Sequence, residues 1–225
     1  MDRPLTREEI AWRAGQDIPE GAVVNLGFGV PLLIAERLPE GREILLHSEN
    51  GLLGMGPAPK PGAEDPDIMN AGAEMCTVVT GASFFAHVDS FAMIRGGHID
   101  ISMLGAYEVA ENGDLANWST GLDDTERAPA IGGAMDLARG AKRVHVLAMH
   151  NAKDGSPRIV QSCQYPLTAP ACVNRVYTDI AVVDIAPEGA VLRELLDGMS
   201  FDDVQARTGA ILTLAPDCAP LRRPD

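Results

Sequence analysis

Short apolar runs alternate with amphipathic segments along the first half of the chain, whereas the second half contains mostly strand-like runs. Buried strands are predicted at residues 22–26, 44–47, 78–80 and 99–104, and then at 144–149, 159–160, 175–177, 181–185 and 190–195. Alternation of strands and helices is typical of α/β proteins. The pattern therefore predicts one α/β domain over residues 1–225, with a mixed, largely parallel sheet flanked by helices.

The first two predicted helices are marked by residues that favour helix starts. The Thr6 hydroxyl can accept from the backbone N–H of Glu9, and Glu9 can reach back, as in a capping box. We expect a helix of about ten residues to follow. Pro31 suits the first position of a second helix, which is expected to include Leu38.

Three more helices are predicted further along the chain. Ser83 is expected to cap a helix that runs to Ile94, and residues 134–138 are expected to form a short one. Ser200 is expected to cap the last helix, which Gly209 would end.

Two segments are predicted to be turns or loops. Asn112-Gly113 is a strong signal for a hairpin turn. Residues 51–67 contain four prolines and four glycines, so we expect a long loop there. Long loops in compact domains are often functional.

A single carboxylate stands at the end of one predicted strand. Glu49 follows the run 44–47 closely, and glycines come after it at positions 51, 54 and 56. Open α/β sheets bind ligands at the carboxyl ends of their strands, and glycines let backbone N–H groups approach a ligand closely. Glu49 is therefore a candidate nucleophile, although position alone fits a solvated surface glutamate as well.

The charge and cysteine content exclude some partners and indicate a compartment. A net charge of −14 repels phosphate backbones, so we expect no nucleic-acid partner. Anionic substrates are still allowed, provided that local cations or backbone donors bind them. Four cysteines without a Cys-x-x-Cys pair are typical of reduced thiols. Since no signal peptide or membrane-spanning run is visible, we expect a cytoplasmic protein without a membrane partner.

Several common kinds of catalytic site do not fit the sequence. The Gly27-x-Gly29 pair lacks a third glycine at the dinucleotide spacing and is followed by Pro31, which argues against a nicotinamide site. The Gly-x-Ser-x-Gly elbow of serine hydrolases is absent. No metal is predicted, because none of the histidines has metal-ligand spacing; they lie at positions 47, 87, 98, 145 and 150.

Residues 48–51 read Ser-Glu-Asn-Gly, the catalytic signature of family I, 3-oxoacid-type coenzyme A transferases. The chain resembles the β subunit of that family from about Thr6 to Gly209. Other stretches match in the expected order, at 67–72, 90–98, 103–106, 113–118 and 132–137. The resemblance implies the coenzyme A transferase (isomerase/coenzyme A transferase-like) fold.

The resemblance also implies a mechanism and a partner. Glu49 would attack an acyl-CoA thioester and become a glutamyl-CoA thioester, which predicts ping-pong kinetics. A carboxylate needs no activating base, but the oxyanions need donors, for which the candidates are the backbone near Gly105 and Ala106, the Asn50 side chain and the Gly51 N–H. No cofactor is implied, because coenzyme A belongs to the substrate. An α subunit would complete the site in a hetero-oligomer such as α2β2.

Within the family, the closer likeness is to members that transfer coenzyme A from succinyl-CoA to 3-oxoadipate, a step of the β-ketoadipate pathway for aromatic compounds. Residues 165–179 and 117–121 carry this likeness. Acetoacetate-type members tend to have a Pro-Gly-Lys stretch after the residue matching Trp118, where this chain has the acidic run 122–127. An acetoacetate transferase is the first alternative. A non-catalytic ligand sensor of related fold is the second, and the intact signature at 48–51 argues against it.

Overall fold

Short helices and strands alternate along the chain, of which the computed structural model describes residues 3–121 and 131–224. The elements before the gap are α1 (Arg7–Gly15), β1 (Val23–Leu26), a 3-10 helix (Val30–Glu36), β2 (Leu45–Ser48), β3 (Leu52–Met55), β4 (Val78–Phe84), α2 (His87–Arg95), β5 (Ile101–Leu104), β6 (Glu108–Ala110) and β7 (Leu115–Ala116). Those after it are α3 (Ala134–Gly140), β8 (Arg143–Leu147), β9 (Ile159–Val160), β10 (Val173–Tyr177), β11 (Ala181–Ala186), β12 (Gly189–Leu195), α4 (Phe201–Gln205) and β13 (Leu212–Pro220).

Ten of the described strands form one mixed sheet, in the order β13-β12-β11-β10-β8-β5-β1-β2-β3-β4. The five strands from β10 to β2 are parallel, and β11 and β3 continue the sheet antiparallel on either side. Every residue of β5 is buried, as expected of a parallel strand covered on both faces. The predicted α/β class with a mixed sheet and flanking helices is confirmed.

Helices cover both faces of the parallel centre. Asn25 and His47 are register partners in β1 and β2, so their side chains share a face, and Ser90 of α2 contacts His47 there. His145 and Tyr177 belong to the opposite face, where Arg13 of α1 lies over the Tyr177 ring. The carboxyl ends of the parallel strands meet at one edge of the sheet, between these two helical layers.

The predicted starts of the first two helices are confirmed, but the length of the second was wrong. The Thr6 and Glu9 capping box is present, with the Glu9 N–H donating to Thr6 Oγ1 over 3.3 Å. Pro31 lies in the first turn of a helix, but this helix is of the 3-10 type and ends at Glu36. Leu38 therefore lies outside it, because Pro39 disfavours helical geometry in the residue before it.

Two other helix predictions need correction. Ser83 does not cap a helix, because it lies in β4 and pairs with Leu53, and α2 begins only at His87. Ser200 caps α4 as predicted, but the helix ends at Gln205 rather than at Gly209. The Thr208 hydroxyl donates to the Val204 carbonyl over 2.8 Å and replaces the next helical hydrogen bond there.

The predicted long loop over 51–67 was wrong at its start, because β3 occupies 52–55 and forms a tight hairpin with β2. The hairpin predicted at Asn112-Gly113 is confirmed between β6 and β7. β13 was not predicted at all. The acidic run 122–127 lies outside the described residues. Among the helices that the structure describes, none has the length and apolar character needed to cross a membrane.

Candidate active site

Glu49 lies in a tight turn at the carboxyl end of β2. The Gly51 N–H donates to the Ser48 carbonyl over 3.0 Å and closes the turn that holds Glu49. Gly51 has a φ of +120°, and a Cβ there would fall onto the carbonyl oxygen of Phe85, far inside van der Waals contact. Only glycine fits this position without moving the turn, so the glycine after the glutamate is needed to place its carboxylate.

A cavity of about 510 Å³ opens at this edge of the sheet and is lined by three of the predicted site residues. Glu49 reaches it from β2, and Gly105 and Ala106 reach it from the end of β5. The loop between β1 and the 3-10 helix, residues 27–29, forms another wall together with Val30, the first residue of that helix. The carboxyl ends of adjacent parallel strands thus converge on one space, as the rule for open α/β sheets predicts.

The backbone at Gly105 and Ala106 is held by side chains from outside this stretch. Asn117 Nδ2 donates to the Gly105 carbonyl over 3.2 Å, and Arg158 Nη1 donates to the Ala106 carbonyl over 2.9 Å. The C=O and N–H of a trans peptide point in opposite directions, so fixing the Gly105 carbonyl also fixes the Ala106 N–H. Within the described ranges, no turn or loop hydrogen bond uses that N–H. It is a candidate donor to a substrate.

Asn50 and Gly51 are placed differently from the other predicted site residues. Neither lines the cavity. Asn50 Nδ2 donates to the Met69 carbonyl over 2.8 Å, and Ser48 Oγ accepts from the Ala71 N–H over 2.8 Å. These bonds tie the nucleophile turn to the following loop. The structure thus brings Glu49, Gly105 and Ala106 together, and it puts Asn50 and Gly51 in the support of the turn.

A buried hydrogen-bond network behind Glu49 was not predicted. Asn25 Nδ2 lies 3.0 Å from Glu49 Oε2, 3.1 Å from His47 Nδ1 and 3.3 Å from the His47 carbonyl oxygen. His47 Nε2 lies 2.9 Å from Ser90 Oγ. The available signal was Asn25 itself, a single amide inside the otherwise apolar run 22–26.

The cavity is locally cationic although the whole chain is strongly acidic. Arg7 and Arg158 line it together with Glu49. With two guanidinium groups and one carboxylate in its lining, the cavity favours anionic ligands. No group of three or more His, Cys, Asp or Glu side chains is arranged to hold a metal ion in the described part of the chain.

A larger cavity of about 800 Å³ lies at the opposite edge of the sheet, near the amino ends of β1, β5 and β8. Five of its charged side chains are paired with one another: Arg175 with Asp17 and Asp184, and Lys142 with Asp100. Volume alone would favour this cavity. The convergence of a carboxylate, backbone donors and glycines favours the smaller one.

Comparisons with known proteins show which family the chain is similar to. The family model described as coenzyme A transferase matches residues 7–207. A subunit of the 3-oxoadipate CoA-transferase of Acinetobacter baylyi is 54% identical over 92% of this chain and 95% of its own length. A subunit of the probable succinyl-CoA:3-ketoacid coenzyme A transferase of Bacillus subtilis is 48% identical over 91% of this chain and 93% of its own. Among solved structures, an acyl-CoA transferase from Escherichia coli O157:H7 superposes with a TM-score of 0.73 at 19% identity, over 99% of this chain but only 44% of that longer chain.

Proposed function

This chain belongs to the coenzyme A transferase family, and we propose that it carries the covalent intermediate of the reaction on Glu49. The observation that supports this most strongly is the position of Glu49, at the end of a parallel strand and on the wall of a cavity shared with backbone donors. A carboxylate nucleophile also suits a reaction that exchanges one carboxylic acid for another, because Glu49 then forms the same kind of CoA thioester as the substrate acids.

The proposed reaction proceeds in two matched halves. An oxygen of Glu49 attacks the thioester carbonyl of succinyl-CoA, the C–S bond breaks, and the electron pair leaves with the coenzyme A thiolate. The thiolate then attacks Cδ of the resulting mixed anhydride and displaces succinate, which leaves glutamyl-CoA on the enzyme. The acceptor acid reverses these steps. Because one difficult exchange becomes two easier ones, ping-pong kinetics are expected.

Each addition step puts negative charge on an oxygen, and donors are needed there. The Ala106 N–H is our first candidate, since the carbonyl of the same peptide is held by Asn117. Removing one such donor typically costs about 3–4 kcal/mol of transition-state stabilisation. Asn50 and Gly51 act in this proposal by holding the turn, because Gly51 donates within the turn and Asn50 donates to the following loop.

We propose 3-oxoadipate as the acceptor acid. The Acinetobacter relative is named for this substrate. Both succinyl-CoA and 3-oxoadipate carry a carboxylate away from the reacting group, and the two arginines on the cavity wall suit such a group.

Acetoacetate is the second candidate, because the Bacillus relative is named for 3-ketoacids in general and is nearly as similar. Acetoacetate has no second carboxylate. Comparing kcat/KM for the two acids, with both subunits present, separates the candidates: a ratio in favour of acetoacetate would contradict the 3-oxoadipate proposal.

We also propose that an α subunit completes the site in a hetero-oligomer such as α2β2. Both of these relatives are named as one subunit of a larger enzyme. Phe28 lines the cavity and is 76% exposed, which is unusual for a large apolar side chain in a site that must exclude water. A partner subunit that covers this side would both bury Phe28 and protect the thioester from hydrolysis.

The test is to trap the intermediate. The two-subunit enzyme is incubated with succinyl-CoA alone, and the intact mass of this chain is measured. We expect a gain of one coenzyme A less one water, and loss of the adduct in Glu49→Gln and Glu49→Ala. Turnover of these variants is expected to fall on the order of 10⁴-fold or more.

Glu43→Gln is the matched control, because Glu43 is an exposed glutamate just before the same strand. It is expected to form the adduct normally. Peptide mapping must first show that residue 49 of the glutamine variant is not deamidated. Normal turnover of a verified Glu49→Gln enzyme would contradict the proposal.

A further inference from the structure

Asn25 lies directly behind the nucleophile, in the buried parallel centre of the sheet. Its amide nitrogen contacts Glu49 Oε2, and no hydrogen bond within the described residues uses Oε1 of the same carboxylate. We propose that Asn25 is a positioning residue that holds Oε2 so that Oε1 faces the thioester, and that His47 and Ser90 fix its amide in the required orientation. This inference rests on the proposed role of Glu49.

The acceptors around the amide determine which way it points. An Asn side chain can in principle exchange its oxygen and nitrogen by a half turn. The Glu49 carboxylate and the His47 carbonyl oxygen only accept, so the atom that contacts both must be the donating nitrogen. An amide oxygen in that place would face two other oxygens without a proton between them.

The amide orientation in turn determines the tautomer of His47. Asn25 Nδ2 has two hydrogens and three neighbouring acceptor positions, so one hydrogen is shared between two of them. A hydrogen on His47 Nδ1 would face the amide hydrogens at 3.1 Å, so that ring nitrogen is the acceptor and the ring proton is on Nε2. Nε2 then donates to Ser90 Oγ on α2. The hydrogen bonds therefore run in one direction, from the amide and the ring outward, and each one fixes the next.

His47 is suited to this role by its burial. The side chain is 1% exposed and stacks on Phe85, with ring centroids 6.2 Å apart. Burial lowers the pKa of His47 to about 4, so the ring is neutral at pH 7 and keeps one nitrogen as an acceptor. A protonated ring would donate from both nitrogens and would repel the amide.

The environment of Asn25 Oδ1 indicates that Asn25 serves the function of the site and not the stability of the fold. Asn25 is completely buried, and its Oδ1 has no hydrogen-bond partner among the described residues. A buried carbonyl oxygen without a partner destabilises a fold, and an apolar side chain would suit the centre of a parallel strand better. The contact that such a replacement would remove is the donor to Glu49.

The first experiment compares Asn25→Ala with the wild type in the two-subunit enzyme. Rapid quenching with succinyl-CoA and intact mass measurement give the rate of adduct formation. We expect this rate and kcat to fall about 10²-fold, because a misplaced nucleophile loses its orientation, whereas KM for succinyl-CoA changes by less than about threefold. Adduct formation at the wild-type rate would overturn the inference.

The second experiment separates positioning from packing at His47. In His47→Asn the side-chain oxygen falls near the place of Nδ1 and can accept from Asn25, but the smaller side chain leaves a cavity. In His47→Phe the ring volume and the stacking on Phe85 are kept, but the acceptor is lost. We expect His47→Asn to retain more activity and His47→Phe to retain more thermal stability.

These experiments also distinguish a failure of this inference from a failure of the proposed function. If His47→Phe were both more stable and more active than His47→Asn, packing alone would explain His47 and the inference would be overturned. If the wild type formed no adduct on Glu49, the proposed function would fail and this inference with it. A normal adduct in the wild type and an equally fast one in Asn25→Ala would overturn the inference alone.

Discussion

Two clusters of buried and half-buried polar side chains lie at opposite edges of the sheet and are built on different principles. The ion-pair cluster consists of Arg13, Asp17, Arg175, Asp184 and Glu194. The nucleophile cluster consists of Asn25, His47, Glu49 and Ser90. In the ion-pair cluster no buried side-chain atom lacks a partner within the described ranges, whereas the nucleophile cluster leaves Asn25 Oδ1 unpaired. The buried atoms of the first cluster thus all have partners, whereas Oε1 of Glu49 in the second has no hydrogen-bond partner among the described residues.

The pairing in the ion-pair cluster is strong enough to reverse the effect of burial. Arg13 contacts both oxygens of Glu194 at 2.8 and 2.5 Å and Asp17 at 2.7 Å. Burial by itself raises the pKa of Asp17, but hydrogen bonds from Arg13 and Tyr177 and the charges of Arg13 and Arg175 together outweigh it and hold that pKa below its ordinary value. Asp17 therefore stays ionised at neutral pH, where its ion pairs contribute to stability.

Removing one member of the ion-pair cluster is expected to have the largest effect on stability. Arg13→Met removes the guanidinium that contacts both oxygens of the buried Glu194, and breaking a buried ion pair typically costs roughly 3–5 kcal/mol. Chemical unfolding of the two-subunit enzyme measures this, and the specific activity of the molecules that remain folded should not change. Arg95→Met is the control, since its ion pair with Asp136 is exposed and should add little. If the two variants unfolded at the same denaturant concentration, the expected difference between a buried and an exposed ion pair would be contradicted.

A substitution in the nucleophile turn is expected to reduce stability and activity together. Gly51→Ala adds a Cβ that meets the Phe85 carbonyl at a φ of +120°, and we expect a loss of about 2–4 kcal/mol. Because the turn must move, adduct formation on Glu49 should slow as well. Gly21→Ala is the matched control: its φ is +74° but nothing lies within 4 Å of the new Cβ. It should cost about 1 kcal/mol and leave adduct formation unchanged.

The smallest predicted effect is on the pH dependence of stability, and it comes from His145 on the face of the sheet opposite to Asn25. Burial, together with the charges of Arg175 and Arg143, lowers the pKa of His145 to about 4. Between pH 6.5 and 4 the unfolded chain binds a proton that the folded chain does not, so stability falls as the pH is lowered through this range. The full contribution is at most about 3 kcal/mol.

His145→Phe should remove that contribution and keep the packing on Tyr177, since His145 Nδ1 has no hydrogen-bond partner among the described residues. Unfolding midpoints measured from pH 7 to pH 4 should then fall less steeply than for the wild type, at unchanged activity. An unaltered slope would show that His145 is not a source of the pH dependence.

The centre of the fold was predictable because parallel strands are buried on both faces and read as apolar runs. Two strands nearer its borders, β3 and β13, were not predicted. β3 and β13 are antiparallel or edge segments with partly exposed residues, and their pairing with β2 and β12 decides their conformation. Ser83 illustrates the same limit, because strand pairing with Leu53 overrides its preference for a helix cap.

The residues of the candidate site also fall into those that local sequence patterns predict and those that they do not. Glu49 could be found because strand end, carboxylate and glycines are adjacent in the sequence. Asn25 and His47 are 22 residues apart, and only the parallel register of β1 and β2 brings them side by side. The link to Ser90 spans 43 residues and depends on how α2 crosses the sheet. Contacts of this kind follow from the packing of elements, which local patterns do not contain.

The candidate donor at Ala106 is a main-chain N–H, and every amino acid except proline would supply it. An alanine scan of this cavity would therefore overlook one of its proposed chemical groups. Asn117, which holds the preceding carbonyl, would register in such a scan only indirectly. Replacing the amide by an ester at position 106 through chemical ligation deletes the N–H alone. The contribution of this donor can therefore be measured by chemical synthesis, whereas a side-chain substitution leaves the N–H in place.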